Sequence, residues 1–431
     1  MRLGKRLRVA VADRQEARRA LDRRARALLL ENTRRRELAG RRGRFSVPSA
    51  GHYPFQWFWD SCFHAIVWSR SDWRRAADEL DALFAWQRPD GFIPHVVFWD
   101  QRRISLWKWW HYMESVGTPR HKPRTTEQMQ PPVLALAVER VAEAGGGAEY
   151  VRRVLPQLEA YHEHLAAERD PDGDGLISVL SQFETGLDFS PVWQAGGERA
   201  LKGPLVFARL RRPQVPARLH RYDLERVFRG DLHQESVLVN AIYGKALRAL
   251  ARLARLLDET ELAARAAERA ARVTEALLAK CADPRDGLFH DLVGREERRT
   301  SVKTISALMP LILEDLPREA ADRLVASLTD ARRFWPAYPV PSVALDEPTF
   351  SRDSRLWGIR LIWRGPLSMS TNWLLAQGLA EHGYADEART IGNRSRELVA
   401  RHGFNEFYDP LDGSPVGEPS FGWATLAADM P

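Results

Sequence analysis

Apolar residues recur along this chain at three- and four-residue spacing, and strict alternation is scarce. That is the period of amphipathic helices, not of half-buried strands. It predicts about a dozen helices, near 13–36, 60–70, 73–87, 126–145, 149–168, 232–256, 259–281, 300–313, 317–328, 369–382, 384–401 and 420–429. Many come as pairs joined by short turns. "VERVAEAGGGAEYVRRVLPQL" reads as two helices through a glycine turn. "LARLLDETELAARAAERAARVTEALLAK" repeats the arrangement, with Asp258 and Thr260 as N-cap candidates. "GLAEHGYADEARTIGNRSRELV" does so again, with Gly383 as the stop.

Consecutive helical hairpins without a heptad repeat predict an all-α fold, an (α/α)6 barrel forming a single domain over residues 1–431. An open helical-repeat solenoid is the alternative. It needs a fixed period of roughly 20–50 residues, and the spacing between pairs here is irregular. Long irregular segments interrupt the helices at 40–60, 88–125, 183–231 and 331–368. In a barrel they would gather at one end, with the insertions near 88–125 and 190–231 forming a cap. Long loops in a compact domain usually carry function.

Composition narrows the class. With 44 % hydrophobic residues in 431, a sizeable core can form. No apolar run approaches the ~20 residues of a membrane span. The first 36 residues keep charges throughout, unlike a secretory signal, and Asp13, Glu16, Asp22 and Glu31 argue against a transit peptide. Cys62 and Cys281 offer neither a disulfide framework nor a metal cluster. The expectation is a soluble cytoplasmic protein without a cofactor or metal. The net charge of +7 is local: residues 1–44 hold 16 Lys/Arg against 5 Asp/Glu, or +11, which leaves −4 for the remainder. An Arg-rich helix packed on a globule explains this without a nucleic-acid surface. Homo-oligomerisation is compatible with the sequence.

The chain's 15 tryptophans cluster in the irregular segments. "HYPFQWFWDSCFH" sets Tyr53, Phe55, Trp57, Phe58 and Trp59 before Asp60. "FWDQRRISLWKWWHYMESVG" adds Trp99, Trp107, Trp109 and Trp110, and "RLWGIRLIWRGPLSMSTNWLL" adds Trp357, Trp363 and Trp373. Indole faces beside carboxylates suit a sugar, whose C–H face stacks while its hydroxyls donate to Asp or Glu. Anchoring of loops onto the barrel is the plainer role for the same residues. Cleaving a glycosidic bond needs two carboxyl groups, one protonated and one ionised. Asp60, Glu127, Glu184, Asp188, Asp231 and Glu406 are the candidates, and composition does not choose among them.

Six motifs in order do more. "FQWFWDSCFHA", "WQRPDGFIPH", "QPPVLALA", "ETGLDFSP", "WRGPLSMSTNWLL" and "NEFYDPLDGSPVG…FGW" run from residue 55 to 423. Together they resemble glycoside hydrolase family 63, inverting α-glycosidases on an (α/α)6 barrel. In size the chain is most similar to that family's small bacterial mannosylglycerate and glucosylglycerate hydrolases, which act on compatible solutes. The resemblance implies that Asp188, in Gly-x-Asp-x-Ser-Pro, is the general acid. It implies that Glu406, in Glu-x-Tyr-x-Pro-x-x-Gly, is the general base. It places Tyr53, Trp57, Trp59, Asp60, Gln130, Gly186, Trp363, Arg364 and Trp423 at a binding site for a small glycoside. Leu367–Ser368 and Ile362 depart from the aromatic residues relatives often carry there, which bears on substrate choice. An α-glucosidase on neutral oligosaccharides or trehalose-like disaccharides is the alternative enzyme. A helical-repeat binding protein is the alternative of another class.

The implied mechanism sets requirements. An inverting pair stands ~6.5–9.5 Å apart, with room for water. Asp188 has to hold its proton near neutrality, which burial against Phe183, Phe189 and Trp193 and the Glu406 charge would favour. Glu406 is expected ionised and facing water, and Glu184 as a support. Turn-capping is the structural rival for Asp188, and N-capping for Asp60. A glycerate aglycone would call for a cation, and Arg102, Arg103, Lys108, Arg221, Arg226 and Arg229 lie in the loops. "RDPDGDGLIS" matches the first half of a calcium loop, but Ser181 stands where a bidentate Glu belongs, so it reads as an acidic turn. His162 and His164 lack the i, i+4 spacing of a metal pair.

Overall fold

A helix that is apolar on every side has to be surrounded by protein. Phe58–Ser69 is such a helix: every residue from Phe58 to Trp68 is buried. The computed structural model, which describes residues 2–101, 124–194, 222–230, 232–356 and 358–431, shows what surrounds it. Phe58–Ser69 packs on Leu134–Val141, which packs on Val237–Arg255. Next come the 3₁₀ segment Ile305–Ile312, Met369–Glu381 and the 3₁₀ segment Gly422–Ala428, which returns to Phe58–Ser69. These inner staves close a ring, and the fold is an (α/α)6 barrel.

Outer helices back the ring. Trp73–Phe84, Gly147–Glu168, Thr260–Ala276, Arg318–Leu328 and Ala385–His402 each follow an inner stave and pack on it. The outer partner of Gly422–Ala428 is the N-terminal helix Arg2–Asn32. One hairpin of the barrel is thus assembled from the two ends of the chain. Leu21, Ala25, Leu28 and Leu29 form the buried stripe of that helix, and its arginines from Arg18 onward line the outside. Close approach between staves is steric: a Cβ at Gly378 would stand 2.3 Å from the Leu311 carbonyl oxygen.

Several boundaries differ from the periodicity, two of them for visible reasons. The helix expected over 13–36 ends at Asn32, and Thr33–Leu38 pairs antiparallel with Arg41–Ser46. Ala39 and Gly40 both take positive φ (54° and 76°), the geometry of a tight primed hairpin turn. The helix expected from 126 begins at Leu134, because Pro131 and Pro132 disfavour helix before them. No described helix is long and apolar enough to cross a membrane.

Each outer helix returns the chain to the same end, so the long connections and the N-termini of the inner staves share that end. The other end is closed by Asp429. Its carboxylate accepts from Arg70 (2.9 Å), Arg140 (2.7 Å) and the Trp373 indole (2.9 Å), tying four staves together. Most of the expected cap, with Trp107, Trp109, Trp110, Arg102, Arg103, Lys108, Arg221 and Asp231, lies outside the described residues, as does Trp357.

Candidate active site

Glu406 lies on the hairpin Asn405–Tyr408/Pro415–Pro419, which feeds the last inner stave. The register shifts between Asn405 and Phe407, so Glu406 opposes two residues, Gly417 and Glu418. Such a bulge re-aims a side chain, and Gly417 supplies the positive φ (79°) it requires. The Glu418 amide donates to Glu406 Oε2 (3.0 Å) and the Tyr53 hydroxyl to Oε1 (3.1 Å). Glu406 is 4 % exposed, so it does not face open water as expected. The hairpin folds back over it, so closely that a Cβ on Gly417 would stand 2.5 Å from Oε2. Burial first, then the Glu418 and Asp188 charges, push Glu406 up to about 7.

Asp188 is presented by a loop fixed from beneath. Glu184 is fully buried and accepts from both terminal nitrogens of the Arg169 guanidinium (2.9 Å each). It also accepts from the amides of Met129 (3.1 Å) and Leu180 (2.6 Å). A carboxylate with four donors is an anchor, which agrees with its expected supporting role. Gln182 Oε1 accepts the Phe189 amide (2.6 Å), and Phe189 is held at a φ of 64° beside Asp188. Strain of that kind persists only where the surroundings over-determine it. Gly186 takes a φ of 70°, and a Cβ there would stand 2.6 Å from the Trp59 ring. Its part is to let the loop lie on Trp59. Asp188 itself is half-buried.

Asp60 is the third residue of helix Phe58–Ser69. The N-cap position belongs to Trp57, and no side chain caps it, so the N-capping role falls away. Asp60 is 2 % exposed and its Oδ1 has no hydrogen-bond partner. Burial first, then the charges of Glu406 and Asp188, push it well above the usual carboxylate range. Three carboxyl groups from residues 60, 188 and 406 thus act on one another's charge across the barrel mouth.

Aromatic rings line the same place. Trp59 lies 5.7 Å from Trp423 and 6.4 Å from Trp363, and Trp363 lies 5.0 Å from Phe407. Trp363 has a φ of 58°, unusual for a bulky residue. The Trp423 indole donates to the Glu406 carbonyl (2.9 Å). Tyr53 stands edge-on to Trp57 at 5.8 Å. Gln130 Oε1 accepts the Trp59 amide (3.0 Å), one of the free amides at the helix start. Arg364 is 5 % exposed, and burial lowers it to about 10.

Other candidates stand elsewhere. Glu127 pairs with Arg88 (2.7 Å), and Arg226 and Arg229 pair with Asp223 and Glu225 on their own short helix. His162 and His164 donate to the carbonyls of Leu158 (2.8 Å) and Asp90 (3.0 Å). Arg169, Gln182, Gly417 and Glu418 were not singled out by sequence. For Gly417, a glycine within a paired strand is a bulge signal; Arg169 carries no local signal at all.

Carboxyl groups set among indoles at the mouth of a helical barrel are the equipment of a glycoside hydrolase. The family model described as the mannosylglycerate hydrolase MGH1-like glycoside hydrolase domain matches residues 53–424, and the chain belongs to that family. It is 33 % identical to mannosylglycerate hydrolase of Thermus thermophilus, over 90 % of this chain and 96 % of that protein. It is 27 % identical to glucosylglycerate hydrolase of Mycolicibacterium hassiacum, over 87 % of this chain and 91 % of that one. It also matches a crystal structure of the GH63 mannosylglycerate hydrolase from Thermus thermophilus in complex with Tris and D-glycerate. That match has a TM-score of 0.80 and 30 % identity, and covers 95 % of this chain and 99 % of that one. The chain is an enzyme that hydrolyses glycosidic bonds.

Proposed function

We propose that this enzyme hydrolyses mannosylglycerate, glucosylglycerate or both, with inversion, using Asp188 as general acid and Glu406 as general base. The carrying observation is that buried Asp60 and Glu406 and the Asp188 loop, which Gly186 seats on Trp59, stand beside the Trp59–Trp363–Trp423 cluster. Relatives named for those two substrates support the choice of glycoside. The proton on Asp188 passes to the glycosidic oxygen, which leaves as the glycerate hydroxyl. Water attacks the anomeric carbon from the opposite face, and its proton passes to Glu406. Asp60, with its unpartnered Oδ1, accepts a glycone hydroxyl. Trp57, Trp59, Trp363 and Trp423 supply stacking surface. Arg364 follows Trp363 directly in the chain, and its guanidinium suits the glycerate carboxylate. Cys62 and Cys281 are buried free thiols, in keeping with a cytoplasmic setting.

The test is hydrolysis of both glycerates and of trehalose and maltose, with NMR of the first anomer released. Asp188→Asn and Glu406→Gln should each lower kcat by orders of magnitude with folding intact. Near-normal turnover in either variant would overturn that residue's role. An α anomer as first product would overturn inversion, and preference for a neutral disaccharide would overturn the glycerate assignment.

A further inference from the structure

The loop that presents Asp188 is held on both sides of that residue, and the two holds differ in kind. Before Asp188 the bonds tie the chain to the barrel wall: Glu184 accepts from Arg169 and from the amides of Met129 and Leu180. Thr185 then closes the 3₁₀ turn Gln182–Thr185 on itself. Its hydroxyl donates to the Gln182 carbonyl (2.6 Å) and accepts the Leu187 amide (3.1 Å). After Asp188 the chain is caught by a side chain. Gln182 is fully buried, and its Oε1 accepts the Phe189 amide at 2.6 Å. That amide belongs to the peptide plane joining Asp188 to Phe189. A peptide unit is rigid, so fixing its plane sets ψ of Asp188 and φ of Phe189 together. Phe189 is held at a φ of 64°, which strains a bulky residue, and rotating the plane would relieve it. Rotation would also take the amide off Gln182 and leave a buried donor unpaired, a cost of similar size. The Gln182 oxygen therefore decides which way the plane lies.

We propose that Gln182 is a positioning residue for Asp188: its side-chain oxygen sets the peptide after Asp188, and through it the direction of the Asp188 carboxyl. The proposal rests on Asp188 being the general acid. Gln182 is buried away from any ligand and acts only through the loop. The task asks for an acceptor at this spot, and a neutral one adds no further charge to a site that already holds Asp60, Asp188 and Glu406. Glu184 and Gln182 thus divide the work. The first fastens the loop to the barrel, and the second orients the one residue in it that handles a proton. In the reaction, Asp188 gives its proton to the glycosidic oxygen as the bond to the anomeric carbon breaks, so a misdirected carboxyl slows only substrates whose leaving group needs that proton.

The test compares leaving groups. Gln182→Met, Gln182→Glu and Asp188→Asn are assayed on mannosylglycerate and glucosylglycerate, and on α-mannosyl and α-glucosyl fluoride. The glycerate hydroxyl needs a proton to depart, whereas fluoride leaves without one. Gln182→Met keeps the length of the side chain and removes the acceptor. It should lower kcat on the glycerate glycoside by about 30- to 100-fold, the order of loss expected when a catalytic group moves by about 1 Å. KM should stay within about threefold, and fluoride turnover should fall by less than about threefold. Gln182→Glu keeps an acceptor oxygen and should recover at least about tenfold of the loss. If Gln182→Met fails to fold, Thr185→Val, which removes the hydroxyl that closes the same turn, takes its place with the same split expected. Equal losses on glycoside and fluoride would reduce Gln182 to a structural residue and overturn the proposal. So would a loss below about threefold on the glycoside, or a Gln182→Glu enzyme no faster than Gln182→Met. Asp188→Asn separates the two readings. If it loses fluoride turnover as fully as glycoside turnover, the general-acid role itself fails; if it spares the fluoride and Gln182→Met does not, only the positioning role fails.

Discussion

Tyr53→Phe removes one hydrogen bond to Glu406. The Tyr53 hydroxyl donates to Oε1 at 3.1 Å, and this bond lowers a pKa that burial has raised to about 7. The ring stays, so the packing against Trp57 and Phe421 stays with it. A hydrogen bond to a charged group is worth about 1.5–3 kcal/mol. At 1.36 kcal/mol per unit, losing it raises Glu406 by about 1–2 units. A general base works ionised, so kcat/KM falls on the acid side of its pKa. At pH 7 the ionised fraction drops from about one half to between about 0.1 and 0.01, a loss of about 5- to 50-fold. The assay is kcat/KM against pH for the glycerate substrate. Its acidic limb should have its midpoint near 7 in the wild type and near 8–9 in the variant, with activity recovering toward the wild type as pH rises. A uniform loss with an unmoved limb would show that Tyr53 contacts substrate only, or that Glu406 is not the base, and the reasoning would fail.

Glu406→Gln should abolish turnover yet stabilise the fold at alkaline pH. The folded pKa lies above the unfolded value of 4.5, so this group's contribution is full below 4.5 and is lost as pH rises through about 7. The gain at pH 8 is up to about 3 kcal/mol, read as a higher Tm than wild type at pH 8 and an equal one at pH 4. Glu184→Gln leaves Arg169 without its anionic partner and should cost about 3–5 kcal/mol, seen as a lower denaturation midpoint; an unchanged midpoint would mean that the pair is idle. Gly417→Ala forces a Cβ to 2.5 Å from Glu406 Oε2 at a φ of 79°. It should lower kcat by more than about tenfold, for about 1–2 kcal/mol of backbone strain, and a normal kcat would show that the bulge does not hold Glu406 in place.

Much of the barrel is legible because its signals are local. Periodicity marks the staves, and the irregular aromatic segments mark the mouth. The helix Arg2–Asn32 reads as a charged amphipathic helix, and its buried stripe bears this out. Its place beside Gly422–Ala428 does not read, because that contact joins the two ends of the chain. The same limit applies to the site. Motifs single out Asp188 and Glu406, but the burial of Glu406 comes from a one-residue register shift, for which the strand glycine Gly417 is a signal that does not say which residue is buried. Gly186 was expected at the binding site, and its close approach to Trp59 seats the loop there; a motif records which residue is needed but not what it touches.

The distribution of strain and buried charge follows from where the barrel tolerates them. At the closed end Asp429 has three donors, and the staves meet around a carboxylate whose charge is answered. At the mouth, Phe189 and Trp363 hold positive φ, and Asp60 and Glu406 are buried where ionisation is resisted. Carboxyls that repel one another stay together only because their supports do not move: Arg169 under Glu184, Gln130 on the Trp59 amide, the bulge at Glu406. A sugar that donates hydroxyls to Asp60 and admits one water beside Glu406 would relieve what the protein alone leaves unsatisfied. Substrate should therefore raise the Tm of Asp188→Asn more than that of Asp60→Ala, because only the latter lacks the buried acceptor.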